Sequence, residues 1–381
     1  MLRSLFPVRT EVRQQQATAW GNWSGDSTPV YSGERVDSVS AMQLLTVYGC
    51  VRLISDSIST LPIDVYRELP DGTKSELAKP DWLRSPTVDL DFPEWCSQVL
   101  TSLLIHGNAY IAVLRNERNV IVELVPLDPT MINVRREQGR KTYWVNGQPY
   151  PGEIVHIKGL MLPGSDVGYS PIEAARQAIG LGLATTRYGS EWFAGDGNMP
   201  GVIELPKPAQ PGTMKDLADQ WRRKRTKGGR GLPGVLQDGA TWKPTGVTNE
   251  QAQFLATRNY TAAEIAGQMF LLDPSDLGIA VNGTSLTYAN LEQRNARRVQ
   301  VTLLPWIVRV EAAISALLFN PRFMKFNLEG LLRGDTLSRY QAHAIGITNG
   351  FLLPEEARDL EDLPQIPGMP LPPGEEPSNA A

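Results

Sequence analysis

Apolar positions recur three and four residues apart over residues 39–61, with Leu44, Val47, Val51, Ile54 and Ile58 on one face, and this spacing predicts a helix. Pro62 ends it, and the run Ile63-Asp-Val-Tyr66 starts a strand. A second helical pattern covers residues 95–106 and closes at Gly107. Residues 108–115 then alternate as a strand does, followed by short strand patterns at 120–126, 131–135, 142–145 and 154–157. Residues 39–160 therefore read as an α+β unit, preceded by a polar, Gly/Ser-rich lead-in over residues 11–40.

Next comes a helix with explicit start signals. Ser170 precedes Pro171, and Glu173 lies three residues after the serine, which predicts a capping box with proline at the first helical position. Thr248 and Gln251 repeat that logic for a helix over residues 250–270. Between the two lies a small insert, with a strand at 202–205, a helix at 213–224 and a hairpin-like pair at 234–247. An irregular loop over 271–285 leads into a long helical pattern from about 286 to 319, with Pro305 inside it and a kink expected there. Residues 336–361 give two short helices, and the Pro/Glu-rich stretch 364–381 reads as a mobile tail.

On a helical projection of residues 171–193, two seams separate. Ile172, Ala175, Ile179, Leu183, Thr186 and Phe193 form one, and Ala174, Ala178, Leu181, Thr185, Tyr188 and Trp192 form the other. A polar stripe of Glu173, Arg176, Gln177, Arg187 and Glu191 runs between them, and small residues including Gly182 and Gly189 fill the remaining gap. A helix capping one sheet needs one seam. Two fit a stave packed on both sides in a ring, and equally a core helix between two neighbours in a monomer.

Composition narrows the possibilities. The 381 residues are 41% hydrophobic and 20% charged, which supports an ordinary core across several domains. The net charge of -4 disfavours a dedicated tight DNA binder, whose affinity would come from neutralised phosphates. Cys50 and Cys96 sit in apolar runs and read as buried free thiols, with a disulfide as the alternative. The first ten residues show no signal-peptide pattern. Residues 301–319 are apolar but carry Arg309 and Glu311 centrally, so a buried soluble helix is expected rather than a membrane span.

Chemistry-bearing motifs are scarce. The glycine-rich run from Lys227 to Gly234 lacks the order a phosphate-cradling loop needs. His106, His156 and His343 are dispersed, and neither metal-ligand spacing nor a nucleophile elbow occurs, so no catalytic residue, metal or cofactor is expected. The basic run Arg222, Arg223, Lys224, Arg225, Lys227 and Arg230 fits a solvated helix end or a docking surface.

The run from Val47 to Pro62 with Ile63-Asp-Val-Tyr66 resembles the opening of the portal family of long-tailed phages of the Hong Kong type. So do His106-Gly-Asn-Ala-Tyr110, Ile154-Val-His-Ile157, Gly168-Tyr-Ser-Pro-Ile-Glu-Ala-Ala175, the turn from Phe193 to Gly201, Thr284 to Gln293, and Thr302-Leu-Leu-Pro305 with Glu311. The segment Leu271-Leu-Asp-Pro-Ser-Asp276 departs from the apolar, Pro-containing stretch typical of that family.

The resemblance implies an elongated α+β subunit that assembles into a ring, usually of about twelve copies. Its parts would be an N-terminal arm (1–39), a wing (40–165), stem helices (166–195 and 249–271) and a small α/β clip (196–248). A tunnel loop (272–285), a long kinked wing helix (286–325), a helical crown (326–363) and the tail (364–381) would complete it. Implied partners are other copies of the chain, the large terminase, a head–tail connector or adaptor protein, major capsid and scaffolding protein, and double-stranded DNA held weakly. The implied place is the virion, after synthesis in a bacterial cytoplasm.

Under that assignment the basic run docks the motor or entering DNA. Asp273, Pro274, Ser275, Asp276 and Asn282 lie in the tunnel loop, where acidic groups would repel DNA phosphates as suits a conduit, while Asp-Pro-Ser equally fits an ordinary turn. Ile172, Ile179, Leu183, Leu181, Tyr188 and Trp192 pack the stem, and Arg294, Arg297 and Arg298 reach neighbouring subunits. An α+β enzyme of unknown type and a monomeric nucleic-acid-binding protein are the competing readings.

Overall fold

The computed structural model describes residues 30–70, 72–194, 201–204, 219, 241–244, 250–279, 288–328, 336–361 and 363. The expected 39–61 helix is two helices, α1 (Ser38–Gln43) and α2 (Leu45–Ser59), separated by extended backbone at Leu44. Asp37 and Ser40 form a reciprocal capping box that starts α1. The break frees the Leu44 side chain to reach Gly182: a Cβ on that glycine would come within 2.8 Å of it.

Strand β1 (Ile63–Glu68) is the centre of a sheet in the order β11-β1-β2, with β2 (Lys74–Leu77) and β11 (Arg322–Phe326) antiparallel on either side. A short helix α3 (Asp81–Arg84) precedes α4 (Phe92–His106), which packs on α2. Gly107, left-handed at φ 69°, caps α4 and turns the chain into β3 (Asn108–Arg115). β3 is the middle of the sheet β4-β3-β8, formed with β4 (Ile121–Leu127) and β8 (Glu153–Lys158). A third small sheet joins β5 (Ile132–Glu137), β6 (Arg140–Val145) and β7 (Gln148–Pro149).

The next helix is also interrupted. A single turn, α5 (Pro171–Ala174), yields at Ala175 to α6 (Arg176–Ala194). Half of the expected capping box forms: Ser170 Oγ accepts the Glu173 N–H at 3.2 Å, while the Glu173 carboxylate is taken by Arg176. Of the insert, β9 (Gly201–Glu204) and β10 (Thr241–Pro244) pair antiparallel. Helix α7 (Glu250–Glu264) packs against α6. It continues as a π-helical turn, Ile265–Met269.

The long helix comprises α8 (Tyr288–Arg297), a π-helical segment Arg298–Leu303 and α9 (Leu304–Ser315). Pro305 thus falls in the first turn of α9, directly after the π-helical segment. At the expected kink the helix changes type directly upstream of the proline. Two helices, α10 (Thr336–Thr348) and α11 (Pro354–Leu360), follow β11.

One apolar cluster unites these parts: Ile54 and Ile58 of α2, Leu100 and Leu103 of α4, Ile111 of β3, Ile172 and Ile179 at the base of α5 and α6, Ile265, and Leu303, Ile307 and Ile314 of the long helix. Glu311 is buried in α9 and pins β11 to it, accepting the Phe326 N–H at 2.9 Å and a Lys325 ammonium hydrogen bond at 2.5 Å. Cys50 and Cys96 are buried free thiols, and burial pushes both up to about 12, so they stay protonated. Among the described residues no helix is long and apolar enough to cross a membrane.

Candidate channel-forming elements

Three sequence motifs separated by up to about sixty residues meet where the α/β unit hands over to α5. Asn108, buried at the start of β3, uses its whole hydrogen-bonding capacity there. Its Nδ2 donates to the His106 carbonyl at 3.0 Å and the Gly168 carbonyl at 2.9 Å. Its Oδ1 accepts the Gly168 N–H at 2.6 Å and lies 2.9 Å from His156 Nε2. An oxygen in that role requires the proton on Nε2, leaving Nδ1 a buried acceptor. Tyr110 stacks on the His156 ring at 4.3 Å, and Tyr143 meets it edge-on. Burial, with Lys158 and Lys141 nearby, pushes the imidazole down to about 3, so it is neutral. Ser170 adds a bond from its Oγ to the Ile105 carbonyl at 2.7 Å.

Helix α6 leaves this junction with its two seams in different states. Ile172 and Ile179 are buried, and Ala175 and Leu183 pack half-buried against the core. On the other seam Leu181 is 42% exposed and Tyr188 46% exposed. The side chain of Trp192 lies outside the described residues. The lead-in touches the polar stripe at two points: Gln177 Oε1 accepts the Tyr31 N–H at 3.1 Å, and Arg187 pairs with Glu34 at 2.9 Å. The small-residue gap does admit close neighbours, Leu44 and Thr261 at Gly182.

At the far end of α7, Leu271 turns with a left-handed φ of 56° and its carbonyl accepts the Thr302 hydroxyl at 2.5 Å. The π segments of the two helices are thereby linked beside the loop. Asp273 caps a 3₁₀ turn, Pro274–Leu277, by accepting the Ser275 N–H and hydroxyl at 2.9 and 2.7 Å. The Ser275 hydrogen bonds, with Arg294 and Arg297 nearby, hold its carboxyl below the usual range. Arg294 lies 3.6 Å from it and Arg298 lies 3.8 Å from Asp276. Burial pushes the Asp276 carboxyl up, and Arg298 only partly offsets this.

The segment forms the Asp-Pro-Ser turn that the sequence also allows. Both acids are engaged by arginines spaced one helical turn apart on the long helix. Arg294 and Arg298 make these pairs within the chain, and Arg297 stands exposed on α8. Asn282 and the basic run Arg222, Arg223, Lys224, Arg225, Lys227 and Arg230 lie outside the described residues. His106 ends α4, His156 lies in β8, and His343 of α10 lies 2.9 Å from Glu361. Sequence reasoning passed over Asn108 as a structural residue, although it is the middle residue of the His106–Tyr110 motif.

An α+β body feeding two packed helices, with a small paired-strand insert between them and a tethered loop leading to a long interrupted helix, is the architecture of a portal-class subunit. The phage portal protein family matches residues 45–362, and the chain belongs to that family. It is 35% identical over 361 residues to a probable portal protein of Streptomyces phage phiC31, covering 88% of this chain and 78% of that one. It is 28% identical over 350 residues to the portal protein of Enterobacteria phage HK97, covering 86% and 80%. Among solved structures, a chain of the virion of a native gene transfer agent particle superposes with a TM-score of 0.60 at 24% identity, covering 93% of this chain and 99% of that one. An HK97-family phage portal protein from Corynebacterium diphtheriae gives 0.59 at 15% identity, covering 77% and 95%. The chain is thus a portal protein, a structural component of the phage head–tail connector rather than a member of an enzyme family.

Proposed function

We propose that about twelve copies close into a ring in which α6 and α7 are the stem staves. The single observation that carries this reading is the second seam of α6, free of charged residues and open to solvent at Leu181 and Tyr188 while Ile172 and Ile179 of the opposite seam are buried within the chain. A stave in a closed ring has such a face to offer its neighbour. A solved gene transfer agent neck computed with C12 symmetry has a chain of the same fold, with a TM-score of 0.59, which fits this count.

In this reading residues 40–165 and the long helix form the wing, 196–248 the clip, 272–285 the tunnel loop and 326–363 the crown. The clip, with its basic run, docks the large terminase and later the connector or adaptor protein. The wing meets major capsid and scaffolding protein. Double-stranded DNA passes through the ring at the virion's portal vertex, weakly held, and the chain itself performs no enzymatic step.

Mass photometry of the purified chain tests the ring. The expected species is about twelve times the 42.0 kDa subunit. Leu181→Glu with Tyr188→Glu places charge on the open seam and is expected to leave a folded monomer with unchanged circular dichroism. A wild-type chain that stays monomeric at every concentration and salt, or a double variant that still closes, defeats the reading.

A further inference from the structure

The handover into the first stem helix is tighter than a cap requires. The Gly107 carbonyl accepts the Gly159 N–H at 2.8 Å. A Cβ on Gly107 would sit 2.2 Å from the Tyr169 carbonyl oxygen, and one on Gly168 would sit 2.1 Å from the Gly107 oxygen. Three backbone segments therefore cross at a separation only glycine permits. Asn108 closes the crossing with its four hydrogen bonds, and Ser170 ties the start of α5 to the last turn of α4.

We propose that Asn108 is a positioning residue that fixes the direction in which the stem leaves the wing, and through it the number of subunits in the ring. This rests on the ring reading above. A head-to-tail ring of twelve turns about 30° per subunit and one of thirteen about 28°, so a drift of about 2° between the two packing faces changes the count. In the ring reading the open seam of α6 is one of those faces, and this junction joins it to the α/β body. The element joining them must therefore be stiff, and a side chain with every donor and acceptor engaged across three segments supplies that stiffness.

The alternatives to asparagine are poor. Aspartate keeps both acceptor roles and loses both donors. Alanine leaves the Gly168 N–H and two carbonyls unpartnered in a buried site.

Native mass spectrometry of full-length rings provides the test, with Asn108→Asp, Asn108→Ala and Gly168→Ala beside wild type. Ile58→Val, a core variant in α2, controls for lost stability. The expected result is one ring count for wild type and Ile58→Val, and a spread over at least two counts for the joint variants. If Asn108→Ala does not fold, Asn108→Asp, nearly the same shape, carries the comparison. Joint variants with the single wild-type count, or equal spreading in Ile58→Val, overturn the proposal. A wild type that closes no ring defeats the ring reading itself and this proposal with it.

Discussion

At the scale of single residues, two buried polar groups carry measurable consequences. Glu311 accepts a backbone N–H that is otherwise sealed from water, while its partner Lys325 is half exposed. Removing the carboxylate strands the Phe326 N–H, at about 1–3 kcal/mol. Glu311→Ala is therefore expected to lower unfolding free energy by about 2 kcal/mol in urea melts. Glu311→Gln, which keeps an acceptor, should lose less than half of that. Equal losses would show that the ion pair with Lys325, not the backbone bond, is the important contact. His156 makes a pH prediction. Its folded value, about 3, lies below the ordinary histidine value of 6.5, so protonation favours the unfolded chain. Its contribution is complete above pH 6.5 and is lost progressively as pH falls toward 3, by about 1.4 kcal/mol per pH unit. His106, also held down by burial, acts in the same sense. The lowered aspartates titrate below 3.8, while Asp276, raised by burial, gains stability as pH falls toward 3.8 and so opposes the histidines at the acid end of the pH 4–6 window. His156→Gln should flatten the fall in stability across that window, and a slope equal to wild type would show that the ring charges without cost.

At the scale of elements, the tether between the loop and the long helix is a pair of partly exposed ion pairs, each expected to contribute modestly. A double-mutant cycle of Asp276→Asn and Arg298→Ala should give a coupling of about 1 kcal/mol by urea unfolding, and no coupling would make the 3.8 Å approach incidental. What the sequence revealed of these elements follows from what periodicity can encode. The spacing of Val47, Val51, Ile54 and Ile58 marks one buried face, and α2 lies there. The same spacing ran through Leu44 and Ala175 without showing the breaks, because one extended or turn residue does not disturb a face that resumes in phase. Strand β11 was hidden because five residues with Arg322 and Lys325 among them, directly after Pro321, give little alternation to count. The π segments were equally silent: a phase slip confined to a single turn is too short to register in a periodicity count. Pro305 signalled that something irregular occurs there, and the backbone resolves it by restarting the helix. The two seams of α6 were legible, but only the structure distinguishes the covered one from the open one. Pairing of Asp273 and Asp276 with Arg294 and Arg298 was not legible, since nothing in the sequence folds the loop back onto the helix that follows it.

At the scale of the whole molecule, net charge decides what kind of conduit the assembly makes. Each chain carries -4 formally, so a ring multiplies a negative total and leaves long-range attraction for DNA weak. Local acidity adds little, because the loop's two described carboxylates are matched by arginines from the same chain. The resulting loop base is close to neutral, neither a grip nor a strong repeller. A neutralising channel would release many counterions and show affinity falling steeply with salt; a near-neutral one lets a polyanion move without being trapped. Purified rings are therefore expected to bind a duplex of about 30 base pairs only in the micromolar range or weaker at physiological salt, with a shallow slope of log affinity against log salt. Fluorescence anisotropy measures both. Nanomolar affinity with a steep slope would locate many neutralised phosphates on the ring and make the basic run at Arg222–Arg230 a DNA clamp. Weak binding that is unchanged when Arg222, Arg223 and Arg225 are reversed to Glu leaves that run to a protein partner, and loss of packaging in the same variant, with rings intact, would mark the partner as the motor.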